Sequence, residues 1–380
     1  MSITGAFNNN LGGCRCFDLY TCLAVMRNIK DKYAQALSEH GGALNQAIKK
    51  YSDERNLIDK KLWLDLSTGI NPNGWLVPAI PASVYNRLPE NDDGLIEAAQ
   101  SYYQVSNILP VSGSQEAIQL LPEIFQRYNL LSQNARIGII SPCYAEHEFQ
   151  WQKNNFSIVH LSSETVDEVI DTLDVLVLIN PNNPTGEFID VHAIKQWQLK
   201  LAEHNAYLII DEAFMDSTPE KSILNDYAND KLIVLRSVGK FFGLAGVRCG
   251  FVIASEKILF LLKYHQGPWS VSGPTRWLVK QALMDKTWIE DNKKHLQKAS
   301  IKLENLLKQY LLIEYSQRSI AGTLLFKTLI LDNADLLYEQ LAKNAVLVRL
   351  LDNKKGLRFG LPGNEKQWQR LESVLNMIAK

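Results

Sequence analysis

Five cysteines in 380 residues are too few for a disulfide scaffold and point to a reducing cytoplasm. Charge of one sign is also missing. The 40 Lys and Arg balance 41 Asp and Glu, leaving a formal net charge of -1 without the electrostatic footprint of a nucleic-acid binder. The best apolar run, Val175–Ile179, is as long as a strand rather than a membrane span. No internal repeat, low-complexity tract or long linker interrupts the chain. What is present is 46% hydrophobic and 21% charged, the balance of a globular enzyme with room for two domains.

Three of the cysteines, Cys14, Cys16 and Cys22, fall in the first 39 residues with an Asn-rich opening, Asn8 to Asn10. A zinc or iron-sulfur site needs a fourth ligand and regular spacing, and neither is evident, so no metal is expected. Arg15 and Asp18 break any apolar core that a signal peptide would need. Residues 1–39 read as a weakly structured extension, with Met26 as an alternative initiator.

From about residue 108, short apolar runs alternate with amphipathic segments. Strands are expected at Ile108–Ser112, Ile137–Ser141, Val175–Asn180, Tyr207–Asp211, Leu232–Ser237 and Gly250–Ala254. Helices are expected at Gln115–Tyr128, His192–His204 and Lys257–Tyr264. Buried β-branched runs separated by helices predict an α/β fold with a parallel-rich sheet covered on both faces. One long helical region, Thr275–Gln309, leads to a smaller α+β layer with strands near Gly322–Leu331 and Val346–Leu350. The segment Trp63–Gly69 joins that layer. The expected division is residues 40–72 as an arm, 73–273 as the large domain and 274–380 as linking helix and small domain.

The apolar strands end in polar groups, and in an open α/β sheet ligands bind at the carboxyl ends of strands. Lys240 follows Leu232–Ser237 in a glycine-rich turn beside Phe241, Phe242 and Leu244. Desolvation there disfavours the ammonium, and a neutral amine suits a Schiff-base lysine, although a buried loop lysine can also simply snorkel. Ser237 and Arg248 flank it with a hydroxyl and a planar fork suited to phosphate. Ser112-Gly-Ser114-Gln115 opens a helix, where free N–H groups favour an anion, as they also favour ordinary capping. Asp211 ends its strand as an ordinary hydrogen-bonded cap or as a carboxylate that keeps a pyridinium protonated, and Asn183 either makes an Asn-Pro turn or donates to a phenolate oxygen. Together these are the requirements of pyridoxal 5'-phosphate.

The run Asn180–Gly186, Asp211-Glu-Ala, Ser237-x-x-Lys240 and Arg248 resembles the fold-type I pyridoxal-phosphate enzymes of the aminotransferase superfamily, near histidinol-phosphate aminotransferases. The resemblance covers residues 38–365. It implies a large domain with a mostly parallel seven-stranded sheet and a smaller α+β domain. It assigns Lys240 to the cofactor aldehyde, Asp211 to the ring nitrogen and Asn183 to the ring oxygen. Ser114, Gln115, Ser237 and Arg248 fall at the cofactor phosphate and its surroundings. Tyr144, in Ser141-Pro-Cys-Tyr-Ala-Glu-His147, resembles the aromatic that stacks on the pyridine. A homodimer is implied too, because active sites of this superfamily lie at subunit interfaces. Phe214 and Leu88 depart from the pattern, standing where histidinol-phosphate aminotransferases and their relatives carry tyrosines.

The outer end of the substrate is read from His40-Gly41-Gly42 before the helix Ala43–Tyr51, and from Ser67-Thr-Gly-Ile-Asn71-Pro72. Glycines at a helix start expose N–H donors, and the imidazole adds another. These segments, with Asp211 to Asp216 and Gly267 to Ser272, resemble the cobalamin-pathway L-threonine-O-3-phosphate decarboxylase family. That resemblance implies a carboxy-lyase releasing (R)-1-amino-2-propanol O-2-phosphate. Arg358 matches the carboxylate-binding arginine and Arg349 is a second basic contact. His40, Gly41, Gly42 and Asn71 are candidates for the substrate phosphate. A decarboxylase and an aminotransferase can share all these residues, because fold and cofactor do not fix the reaction. An aminotransferase of histidinol-phosphate type is therefore the second reading. A noncatalytic cofactor-binding module is the third, and Lys240 paired with Asp211 speaks against it.

Overall fold

Near-continuous runs of Val, Ile and Leu build the centre of the molecule, because both faces of its main sheet are covered. The computed structural model describes residues 41–51, 62–226, 230–311 and 319–379. In chain order its strands begin with β1 (Leu64–Asp65), β2 (Ile108–Val111), β3 (Arg136–Ile140), β4 (Ser157–Leu161), β5 (Val175–Ile179), β6 (Tyr207–Asp211) and β7 (Leu232–Ser237). They continue with β8 (Gly250–Ile253), β9 (Ser319–Gly322), β10 (Phe326–Ile330), β11 (Val346–Leu347), β12 (Arg349–Leu350) and β13 (Gly356–Gly360).

Seven strands form the main sheet in the order β2-β8-β7-β6-β5-β3-β4. All are parallel except β8, which runs antiparallel to both its neighbours. Alternate side chains enter two separate cores. Leu208 and Ile210 of β6 join Leu232 and Val234 of β7 on one face, while Tyr207, Ile209, Ile233 and Leu235 pack on the other. This parity puts Asp211 and Ser237 on the second face, and Glu212 and Arg236 on the first. Pro110 is tolerated because β2 lies at the sheet edge.

The expected strands of this sheet are all present, and one more appears. The added strand, β4, forms the far edge with mostly half-exposed side chains, so it lacks the apolar run that marks its neighbours. The long helical region expected over Thr275–Gln309 is present as two helices, Gly273–Met284 and Lys286–Leu311. Asp285 makes the break. One carboxylate oxygen caps Trp288 N–H at 3.0 Å, and the other accepts from Trp75 Nε1 at 3.0 Å.

A second, antiparallel sheet has the order β12-β13-β10-β9. The segment near Val346–Leu350 divides between two sheets, since β11 pairs in parallel with β1 while β12 joins β13. The segment Trp63–Gly69 thereby meets the smaller layer through β1. The two sheets meet closely at one point: a Cβ on Gly186 would lie 2.3 Å from Gly322 Cα, so the loop after β5 rests directly on β9.

Candidate active site

The carboxyl ends of β2, β5, β6 and β7 come together with the start of β8 along one edge of the main sheet. Ile179 pairs with Asp211, Ser237 with Gly250, and Gly250 with Val111. Asp211 is buried, and both its oxygens are engaged. Ala213 N–H donates to Oδ1 at 2.9 Å, and His147 Nε2 lies 3.1 Å from Oδ2. An ionised carboxylate only accepts, so that imidazole nitrogen carries the proton.

Lys240 sits in the turn beyond β7, pinned through its carbonyl, which accepts from Asn71 N–H at 3.0 Å and Gly243 N–H at 3.2 Å. Burial pushes its ammonium down to about 8; the Arg358, Arg349 and Arg248 cations act the same way, and Asp211 opposes them. The Nζ lies 5.3 Å from the centroid of the Phe214 ring. Phe214 in turn meets Phe326 edge-on at 5.1 Å, and the Arg358 guanidinium covers Phe326 at 5.1 Å. The phenylalanine at 214 thus brings an apolar ring, without a hydroxyl, to the lysine.

Beside this lies a concave cradle. The helix Ser114–Arg127 begins after Gly113, whose φ is +73°, and no side chain caps its first N–H groups. A Cβ on Gly113 would lie 2.6 Å from an Arg248 guanidinium nitrogen, and one on Gly250 would lie 2.7 Å from the Ser114 amide nitrogen. Only backbone fits at either position, so Arg248, Ser237 and the uncapped helix start surround a space shaped for an anion. Tyr144 donates to Gln115 Oε1 at 3.2 Å, and Gln115 Nε2 donates to Glu146 at 2.6 Å. Burial pushes the Tyr144 phenol up to about 12, so it is neutral.

On the opposite side, Arg349 and Arg358 are direct cross-strand partners on β12 and β13, and both are buried. Arg358 donates to Asn183 Oδ1 at 2.5 Å and to the Ser67 carbonyl, while its Nε has no partner. Burial and the Arg349 cation hold its pKa below the ordinary guanidinium value, with Asp65 opposing. The Asn183 contact leaves that side chain's amide nitrogen unengaged.

The arm residues divide differently from the sequence expectation. His40 lies outside the described residues. Gly41 packs on Ser67 and Arg358, and the Gly42 amide donates to Ser67 Oγ at 2.8 Å. Asn71 donates to the Phe241 carbonyl and to Asn292 Oδ1, and accepts from Asn73 N–H. Its amide therefore braces the lysine turn and keeps no donor for a substrate phosphate. Sequence reasoning missed His147, although its position three residues after Tyr144 puts it on the same side of a helical turn. It also missed the buried cluster in which Arg236 donates to Glu212 at 2.5 Å and to Asp216 at 2.6 Å.

The fold and this convergence define an α/β protein with a lysine, a carboxylate and an anion cradle at the strand ends. Residues 83–362 match the family model for aminotransferase class I and II, and the chain belongs to that family. It is 40% identical over 337 residues to the threonine-phosphate decarboxylase of Pseudomonas aeruginosa, covering 89% of this chain and 97% of that protein. The structure is similar to the histidinol-phosphate aminotransferase of Clostridium acetobutylicum, with a TM-score of 0.70 and 26% identity over 83% of this chain and 98% of that one. It also shares its fold with the L-threonine-O-3-phosphate decarboxylase of Porphyromonas gingivalis, with a TM-score of 0.65 and 18% identity over 82% of this chain and 98% of that one.

Proposed function

We propose that the chain is a pyridoxal-phosphate-dependent decarboxylase that converts L-threonine O-3-phosphate to (R)-1-amino-2-propanol O-2-phosphate, an intermediate of cobalamin formation. The observation that carries this reading is the 40% identity to a threonine-phosphate decarboxylase over 89% of the chain, since the site residues alone are shared with aminotransferases. Arg358 and, on the facing strand, Arg349 bring two buried guanidinium groups to a substrate with a carboxylate at one end and a phosphate at the other. Extensive identity to a threonine-phosphate decarboxylase supports the same substrate.

The residues fit the cofactor. The Gly113 and Gly250 backbone, Ser114, Ser237 and Arg248 would hold its phosphate, in a cradle that a Cβ would fill. Asp211 would face the ring nitrogen, Asn183 the ring oxygen, and Tyr144 with Gln115 would flank the ring. When bound, pyridoxal phosphate supplies an electron sink for the Cα bond that stands perpendicular to its ring. Arg358 orients the substrate carboxylate, and Arg349 takes the phosphate. Lys240, depressed to about 8, exchanges a proton at Cα as a weakly basic amine. A homodimer, as the family resemblance implies, would place the active site at the subunit interface.

Supplied with L-threonine O-3-phosphate and no keto acid, the purified holoenzyme is expected to release CO2 over many turnovers. A reaction that stops after one turnover, leaving pyridoxamine phosphate, would identify an aminotransferase. Lys240→Ala is expected to abolish turnover and the visible absorbance of the bound cofactor.

A further inference from the structure

Two amide nitrogens converge on Oε2 of Glu146, the first residue of the helix Glu146–Lys153. Gln115 Nε2 donates to it at 2.6 Å and Gln150 Nε2 at 3.2 Å. Convergent donors mark an accepting carboxylate, and that fixes how the Gln115 amide is turned. With its nitrogen directed at Glu146, its Oε1 faces Tyr144, whose hydroxyl donates to it at 3.2 Å. A bond that ends on a carboxylate is stronger than one between neutral groups, and bonds in series reinforce one another. Without the carboxylate, Gln115 could turn its nitrogen toward the phenol and break the series.

The bond to Gln150 stays within one helix and would serve that helix alone. The shorter bond crosses to Gln115, in the first turn of the helix Ser114–Arg127, whose uncapped start borders the anion cradle. Next along the chain, His147 reaches Asp211. The start of one helix thus holds the groups placed at the face of the cofactor ring and at its nitrogen. We propose that Glu146 is a positioning residue, which acts through Gln115 to set the direction of the Tyr144 hydroxyl and so the tilt of the aromatic ring against the cofactor. The proposal rests on the reading of Tyr144 as flanking that ring.

Titration of apoprotein with pyridoxal phosphate, followed by the visible circular dichroism of the bound cofactor, tests it. Glu146→Leu is expected to raise the dissociation constant about 3–10-fold and to alter the dichroic band. Glu146→Gln, which keeps an acceptor, should recover part of the loss. In a Tyr144→Phe background the series has lost its end, so Glu146→Leu should then shift the dissociation constant by less than about twofold. Equal effects in the two backgrounds, or no effect of Glu146→Leu in the unmodified protein, would overturn the proposal. Tyr144→Ala separates this failure from that of the reading beneath it. If Tyr144→Ala leaves affinity and dichroism unchanged, Tyr144 does not flank the ring and both fall. If it changes them while Glu146→Leu does not, only the role of Glu146 falls. Gln115→Leu cuts the series in the middle and, compared in the same two backgrounds, keeps the test intact if Glu146→Leu does not fold.

Discussion

His147 Nε2 and Asp211 Oδ2 lie 3.1 Å apart, and both side chains are buried. A carboxylate in a dry setting holds its charge only when it is paired and hydrogen-bonded. Together with the Ala213 amide, His147 fixes the direction of the group proposed to face the cofactor ring. Replacing His147 with Leu is expected to lower kcat about 10–100-fold with little change in KM, the scale of one hydrogen bond to a charged group. His147→Gln, which keeps a donor, should recover part of the loss. A fall in melting temperature with kcat unchanged would assign the imidazole to packing alone.

Gly113 closes the phosphate cradle on the side of Arg248. An alanine there combines an unfavourable φ of +73° with a Cβ 2.6 Å from the Arg248 guanidinium. The side chain that must give way is the one proposed to hold the cofactor phosphate. Gly113→Ala is therefore expected to raise the dissociation constant for pyridoxal phosphate at least about tenfold while the protein stays folded. Titration of apoprotein by visible absorbance measures it, and unchanged affinity would move the phosphate elsewhere.

Some of this site was legible in the sequence because burial leaves a plain mark. Tyr207–Ile210 and Leu232–Leu235 are uninterrupted apolar runs since both faces of the sheet are covered, so Asp211 and Lys240 stand out beyond them. Where burial is one-sided the mark fades, and β4 went unread at the exposed sheet edge. Features made by distant partners left no local signal. The break at Asp285 depends on Trp75, 210 positions away, and the bracing role of Asn71 depends on Phe241 and Asn292. Arg349 and Arg358 were singled out separately, but their pairing needs the register of β12 against β13. His147 was close enough to Tyr144 to be found, and only the contact with Asp211 reveals its purpose.

The paired arginines are proposed to meet the two anionic groups of the substrate, and their replacement tests it. Arg358→Ala is expected to raise KM for L-threonine O-3-phosphate about 10–100-fold, because a charged, desolvated contact is lost. Arg358→Lys should rescue little, since the forked geometry toward Asn183 Oδ1 and the Ser67 carbonyl cannot be reproduced by an ammonium. Arg349→Ala should also raise KM, and it should weaken inhibition by the phosphothreonine amide, which keeps the phosphate and lacks the carboxylate, whereas Arg358→Ala should leave inhibition by that amide nearly unchanged. Equal KM values for the Arg358 variants and the unmodified enzyme would remove this arginine from recognition.

Lys240 gives the site a pH signature. Its ammonium, ordinarily near 10.5, is held at about 8 by burial and by the three arginines. Only the neutral amine attacks an aldehyde, so uptake of pyridoxal phosphate by apoprotein should quicken about tenfold per pH unit below that value and level off above it. Stability of the apoprotein should change in the same direction. Between about 8 and 10.5 the unfolded chain binds the proton that the folded chain has released, so stability rises with pH through this window and is flat below it. Lys240→Met should abolish both effects, which stopped-flow absorbance and thermal melts can follow. An uptake rate that keeps rising about tenfold per pH unit past that value, toward 10.5, would mean that the amine is solvated, and its proposed role would fall with it.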